Sequence, residues 1–175
     1  MVMDSRDKTQ LPGGLSIRPA RPSDAGFIES LYRSTRNDLR LIDAEDDFVE
    51  ALIDQQFQAQ TVGYGEMYPD AMHFIVEKLS ESVGRLILDF GNNEVLIVDL
   101  AFIPVARGKG FGRGVLQGLQ AAAASVQAPL VLSVHPANLS AKRLYLGLGF
   151  RVEQRTPMAE RMAWHPTLCA PGALA

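Results

Sequence analysis

The chain has 175 residues, 47% of them hydrophobic and 21% charged, with a formal net charge of −3 and a pI near 5.6. That is enough for one ordinary globular domain, and the acidic balance argues against bulk binding to nucleic acid or a membrane surface. No apolar run reaches membrane-spanning length, the charged start from Met1 to Lys8 does not lead into a signal-peptide core, and the single cysteine, Cys169, can make no internal disulfide. A cytoplasmic protein is expected.

Residues 1–14 are polar and end in Pro12-Gly13-Gly14, which predicts a disordered leader ahead of a single domain over 15–165 and a flexible tail over 166–175. Leu15 to Ala20 alternates as a half-buried strand does. Ser23 or Asp24 can cap a helix through Phe27, Ile28, Leu31 and Tyr32. Arg36 to Asp47 reads as a polar connection. Phe48, Leu52, Ile53 and Phe57 mark a second helix, broken by Gly63 and Gly65. Strands follow at Met72 to Glu77, Val83 to Phe90 and Val95 to Ile103, with Gly91-Asn92-Asn93 as the turn between the last two.

A helix is predicted from about Gly112 to Val126, with Val115, Leu116, Leu119, Ala123 and Val126 on one face. Gly114 and Gly118 within it each cost roughly 1 kcal/mol against alanine, so close packing against the sheet is expected there. Leu130 to Val134 is a buried strand, and Ser140 to Leu148 a helix ended by Gly149. Arg151 to Gln154 and Met158 to Trp164 close the domain as a hairpin. The order β-α-α-β-β-β-α-β-α-β-β is that of a mixed α/β fold with α+β character, a sheet covered by helices on both faces.

The most informative stretch is Arg107-Gly108-Lys109-Gly110-Phe111-Gly112-Arg113-Gly114, placed between the fourth predicted strand and its helix. Glycines at alternate positions let successive N–H groups turn toward one point, and the helix start adds its positive dipole end. A tight turn alone would not need those glycines flanked by Arg107, Lys109 and Arg113, so the loop points to a bound phosphate or pyrophosphate. The dinucleotide pattern G-x-G-x-x-G fails for want of its final glycine. The Walker pattern fails because no Gly-Lys-Ser or Gly-Lys-Thr occurs.

The spacing is Arg107-x-x-Gly110-x-Gly112, preceded by Leu100-x-Phe102-x-Pro104. A second block reads Asn138-x-x-Ala141-x-x-Leu144-Tyr145-x-x-Leu148-Gly149-Phe150. Together these resemble the signature of the GNAT superfamily of acyl-CoA-dependent N-acetyltransferases, most specifically over residues 95–155. The resemblance implies a mostly antiparallel twisted sheet whose fourth and fifth strands are parallel and splayed, with acetyl-CoA as acyl donor and no metal. It implies cofactor contacts from the backbone of Leu100, Ala101 and Phe102, from the loop Arg107, Gly108, Lys109, Gly110, Phe111, Gly112 and Arg113, and from Asn138. For Lys109 a solvated surface position, and for Asn138 a helix cap, are the competing readings.

In the resembled family, a tyrosine at the place of Tyr145 protonates the departing thiolate; a core aromatic is the plain alternative. An amine must lose a proton before it attacks a thioester, and for a lysine-like group that costs roughly 4–5 kcal/mol at pH 7. Asp99, alone in an apolar strand, is the leading candidate base, unless it turns from the cleft to pair with a cation. Leu96 stands where some members carry a glutamate; Glu66, Tyr64, Tyr68 and His73 are weaker candidates. A backbone N–H near Leu100 or Ala101 can stabilise the developing oxyanion.

Partners implied are acetyl-CoA and an amine-bearing small molecule or peptide, without nucleic acid or membrane; a homodimer is compatible. From Asn37 to Asp70 there are nine acidic residues against one basic, so either a cationic acceptor is attracted there or a helix face is solvated. A non-catalytic acyl-CoA sensor and a phosphate-loop nucleotide enzyme are the rival functions.

Overall fold

A computed structural model describes residues 7–167. Cys169 and the end of the predicted tail lie outside them. Eight strands form one sheet: β1 (Thr9–Leu11), β2 (Leu15–Pro19), β3 (Met72–Lys78), β4 (Glu81–Phe90), β5 (Val95–Phe102), β6 (Leu130–Val134), β7 (Arg151–Arg155) and β8 (Glu160–Trp164), in spatial order β1-β2-β3-β4-β5-β6-β8-β7. Every pairing is antiparallel except that of β5 with β6. These two are the fourth and fifth strands of the sequence reading.

The helices are α1 (Ala25–Thr35), α2 (Asn37–Arg40), α3 (Asp46–Met67), α4 (Phe111–Ser125) and α5 (Leu139–Gly147). Side chains of a strand point alternately to its two faces. From β4, Leu86 and Leu88 enter the main core with Leu15, Val76, Val115, Leu116 and Leu119, which places α4 on that face. Arg85 and Ile87 point the other way, toward α1 and α3. There a smaller apolar cluster of Tyr32, Leu39, Val49 and Ile53 joins α1, α2 and α3.

Four expectations need correction. Residues 9–14 of the expected leader are ordered: β1 pairs with β2 in the register Thr9↔Ile17 to Leu11↔Leu15, and Pro12–Gly14 turns between them. The physical reason is on α4. A methyl group on Gly114 would meet the Pro12 carbonyl oxygen at 2.9 Å, and one on Gly118 would meet Leu11 Cδ2 at 2.5 Å. The two helical glycines admit this segment, so the close packing expected of them is made with the N-terminal turn.

Second, α3 runs unbroken through Gly63 and Gly65, where nothing crowds the helix and Tyr64 between them is half-buried. Third, the polar connection after Arg36 contains α2, anchored by buried Leu39. Fourth, β2 is buried on both faces from Leu15 to Arg18. Arg18 tolerates this because Asp24 takes two of its donors at 2.8 Å each and Glu77 a third at 2.8 Å. The Asp24 carboxylate is thereby used in the ion pair and makes no side-chain cap for α1.

Candidate active site

β5 and β6 pair over Val95↔Leu130, Leu96↔Val131 and Ile97↔Leu132, and then separate. On its other edge β5 carries a bulge: Ile87 faces Asp99 and Leu88 faces Ile97, which leaves Val98 without a partner. A bulge bends its strand and re-aims the residues beyond it. The opened edge of β5 forms one wall of a cavity of about 200 Å³ that Asp99, Leu100, Val134, His135, Asn138 and Tyr145 line. Leu100 and Asn138 also line a cleft of about 660 Å³, which continues along the glycine loop to the start of α4.

Past the bulge, main-chain groups alternate between the two edges. Ile103 N–H donates to Val83 O at 3.0 Å, and Ala101, two residues back on the same ladder, lies opposite Arg85. Ala101 therefore turns its main chain inward to β4, while Leu100 and Phe102 direct theirs to the open edge. Leu100, Ala101 and Phe102 all line the larger cleft, Ala101 with its main chain turned to β4.

Gly108 and Gly110 have φ of 72° and 81°, the left-handed region that side chains disfavour. Main-chain hydrogen bonding resumes at Gly114, whose N–H donates to Gly110 O at 3.1 Å. Among the described residues, the N–H groups from Gly108 to Arg113 find no protein acceptor. Three of them belong to the first turn of α4, where an intrahelical partner cannot exist. A run of N–H groups without a protein acceptor beside a helix N-terminus is the chemistry that an anion site needs.

Arg107 braces this loop. Its Nε donates to Phe102 O at 2.9 Å and its Nη2 to Ser34 Oγ at 3.3 Å, so the side chain ties the loop to the end of β5 and to α1. Gly112, Phe111 and Arg113 line the larger cleft. Lys109 does not; it lies on a neighbouring groove with Lys78 and Pro12. Asn138 is the N-cap of α5, its Oδ1 accepting from Ala141 N at 3.2 Å, and it faces both cavities. The cap reading and a place at the cleft hold together.

Tyr145 projects from α5 toward the β5–β6 opening, its ring 5.9 Å from that of Phe150. Burial, and then the negative charge of Asp99, push its phenol above the usual tyrosine value, so it stays protonated at neutral pH. Asp99 is paired with a cation as well as lining the opening. Arg85 Nη2 lies 2.5 Å from its Oδ2. Tyr64 on α3 is likewise raised, by burial and then by Asp99. His73 is lowered, by burial and then by Arg85, which favours its neutral form.

Reasoning from sequence missed Arg85. The available signal was a lone guanidinium in the apolar run Val83 to Phe90, which must find a partner when buried. The acidic excess of the first half is partly spent: Glu50 and Asp54 pair with Arg33, Glu50 also with Arg40, and Asp38 with Arg36.

The family described as Acetyltransferase (GNAT) matches residues 27–150. None of the curated proteins matches the chain significantly. Among solved structures, the PaiA N-acetyltransferase of Thermoplasma acidophilum in complex with coenzyme A is similar, with a TM-score of 0.65, 17% identity, and 86% of this chain and 98% of that one covered. The spermidine N-acetyltransferase of Vibrio cholerae in complex with CoA and spermine has a TM-score of 0.62 at 20% identity, covering 87% and 95%. The ribosomal-protein-S18-alanine N-acetyltransferase of Escherichia coli has a TM-score of 0.62 at 17% identity, covering 90% and 97%. At these identities the likeness is one of fold.

Proposed function

We propose that this chain, which belongs to the GNAT family of acetyltransferases, moves an acetyl group from acetyl-CoA to a primary amine by direct attack in a ternary complex. The observation that carries this reading is the run of six unpartnered N–H groups from Gly108 to Arg113, opening beside the free edge of β5. The pyrophosphate of acetyl-CoA is the anion that cradle accepts. The amide groups of its pantetheine arm then meet the main chain of Leu100 and Phe102 as an added strand would. This directs the thioester to the β5–β6 opening, between Tyr145 and Asp99.

There the amine nitrogen bonds to the acetyl carbon and the C–S bond breaks. The nitrogen gives up its proton to the carboxylate of Asp99, directly or through water. The thiolate takes its proton from the Tyr145 hydroxyl, which burial keeps protonated. An N–H on the open edge of β5, at Leu100, is placed to steady the charge on the acetyl oxygen. A cytoplasmic setting accords with a single cysteine.

The acceptor is a small amine or a peptide N-terminus, and the two similar structures named for spermidine and for a ribosomal protein make both worth testing. Acetylation of a panel of polyamines, amino acids, aminoglycosides and N-terminal peptides, read by release of coenzyme A thiol, tests the proposal. Acetylation of at least one amine is expected. Normal acetyl-CoA binding without turnover of any amine would leave a sensor in place of an enzyme.

A further inference from the structure

Arg85 has no part in the transfer just described, yet it is built into the site. Only 10% of its side chain is exposed, against 22% for that of Asp99. Its Nε and Nη2 both donate to the same oxygen, Oδ2 of Asp99, at 3.1 and 2.5 Å. Nη2 also donates to Oε1 of Gln60 on α3 at 3.3 Å. Among the described residues, Oδ1 of Asp99 receives no hydrogen bond. The guanidinium therefore distinguishes two otherwise equivalent oxygens.

We propose that Arg85 is a positioning residue for the acceptor step, engaging Oδ2 of Asp99 so that Oδ1 is the oxygen presented to the acceptor nitrogen. This rests on Asp99 being the proton acceptor. A carboxylate held at one oxygen loses its freedom to turn, and correct orientation before reaction is a large part of a catalytic advantage. Arginine suits the task because its planar fork reaches two partners at fixed angles, whereas an ammonium is a point charge. Gln60 extends the brace to α3. One turn further along that helix stands Tyr64, whose phenol senses the Asp99 charge. α3 and the carboxylate are thus held in register by one side chain.

The test compares Arg85→Gln, Arg85→Lys, Gln60→Ala and Asp99→Asn with the unmodified protein. The acceptor is the amine of highest turnover in the panel above. Arg85→Gln is expected to lower kcat about tenfold or more, Arg85→Lys less, and Gln60→Ala about threefold. The KM for the amine and the Kd for acetyl-CoA should each stay within about twofold. If Arg85→Gln does not fold, the lysine and Gln60 variants decide by the same criteria. The proposal is overturned if the folded Arg85 variants keep kcat within twofold. It is also overturned if kcat, acetyl-CoA affinity and melting temperature fall together, as a purely structural ion pair would require. Full activity in Asp99→Asn, or no turnover of any amine, would instead remove the underlying reading of Asp99 and this inference with it.

Discussion

A methyl group added to Gly114 would stand 2.9 Å from the carbonyl oxygen of Pro12 and 2.9 Å from Leu15 Cδ1. The helix that carries the anion cradle is thereby seated on the N-terminal turn through a position that admits glycine alone. Gly114→Ala should destabilise the protein by about 1–2 kcal/mol, since overpacking outweighs the gain in helix propensity. Gly118→Ala meets Leu11 Cδ2 at 2.5 Å and Pro12 Cδ at 3.4 Å, side-chain atoms in place of a backbone carbonyl, and should cost less than Gly114→Ala. Urea denaturation of both variants checks the difference.

The Arg18 cluster predicts an acid-sensitive fold. Hydrogen bonds from Arg18 hold Asp24 below the usual carboxylate range. Burial opposes ionisation of Glu77, but Lys8 and Arg18 outweigh it and lower that group too. A carboxylate depressed in the folded state contributes stability above its unfolded pKa, near 4, and loses that contribution as pH falls through the folded value. Asp24→Ala should cost about 3 kcal/mol at pH 7, or about 6–12 °C in melting temperature, and the gap should narrow toward pH 3. A gap independent of pH would contradict this origin.

The glycine loop was legible because its chemistry lies in local spacing: Gly108 and Gly110 occupy the backbone conformations that their residue type allows. The parallel pair β5 and β6 followed from the family resemblance, since apolar runs alone do not reveal which strands are neighbours. β1 escaped because Thr9-Gln10-Leu11 is too short and polar to show a period. Its trace lay elsewhere, in Gly114 and Gly118 four residues apart on one helix face. The Arg85–Asp99 pair escaped for a related reason. Asp99 was the lone charge of its run and Arg85 the lone cation of its own, and the bulge at Val98 that sets their register leaves no pattern in the sequence. The continuity of α3 shows the opposite error: Gly63 and Gly65 weaken a helix, but an established helix propagates through them.

Arg107 should matter for binding more than for folding. Its guanidinium joins the loop to Phe102 and Ser34 at the surface. Arg107→Ala should raise the Kd for coenzyme A about tenfold while leaving the melting temperature nearly unchanged. An unaltered Kd would show that the cradle keeps its shape without the brace.

Tyr145→Phe removes one hydroxyl and preserves the packing against Phe150. Removing a general acid costs on the order of 100-fold in rate. The variant should lose about that much in kcat for amine acetylation, with its Kd for acetyl-CoA within about twofold. Retained kcat would reduce Tyr145 to a packing residue.

The account depends most on the N–H groups between β5 and α4 holding the donor's pyrophosphate, and titration calorimetry with acetyl-CoA tests this most directly. The unmodified protein should bind with a measurable heat. Gly110→Val, which forces a branched side chain into a backbone with φ of 81° at the mouth of the cradle, should weaken binding at least tenfold. No binding by the unmodified protein, or equal binding by the variant, would contradict it.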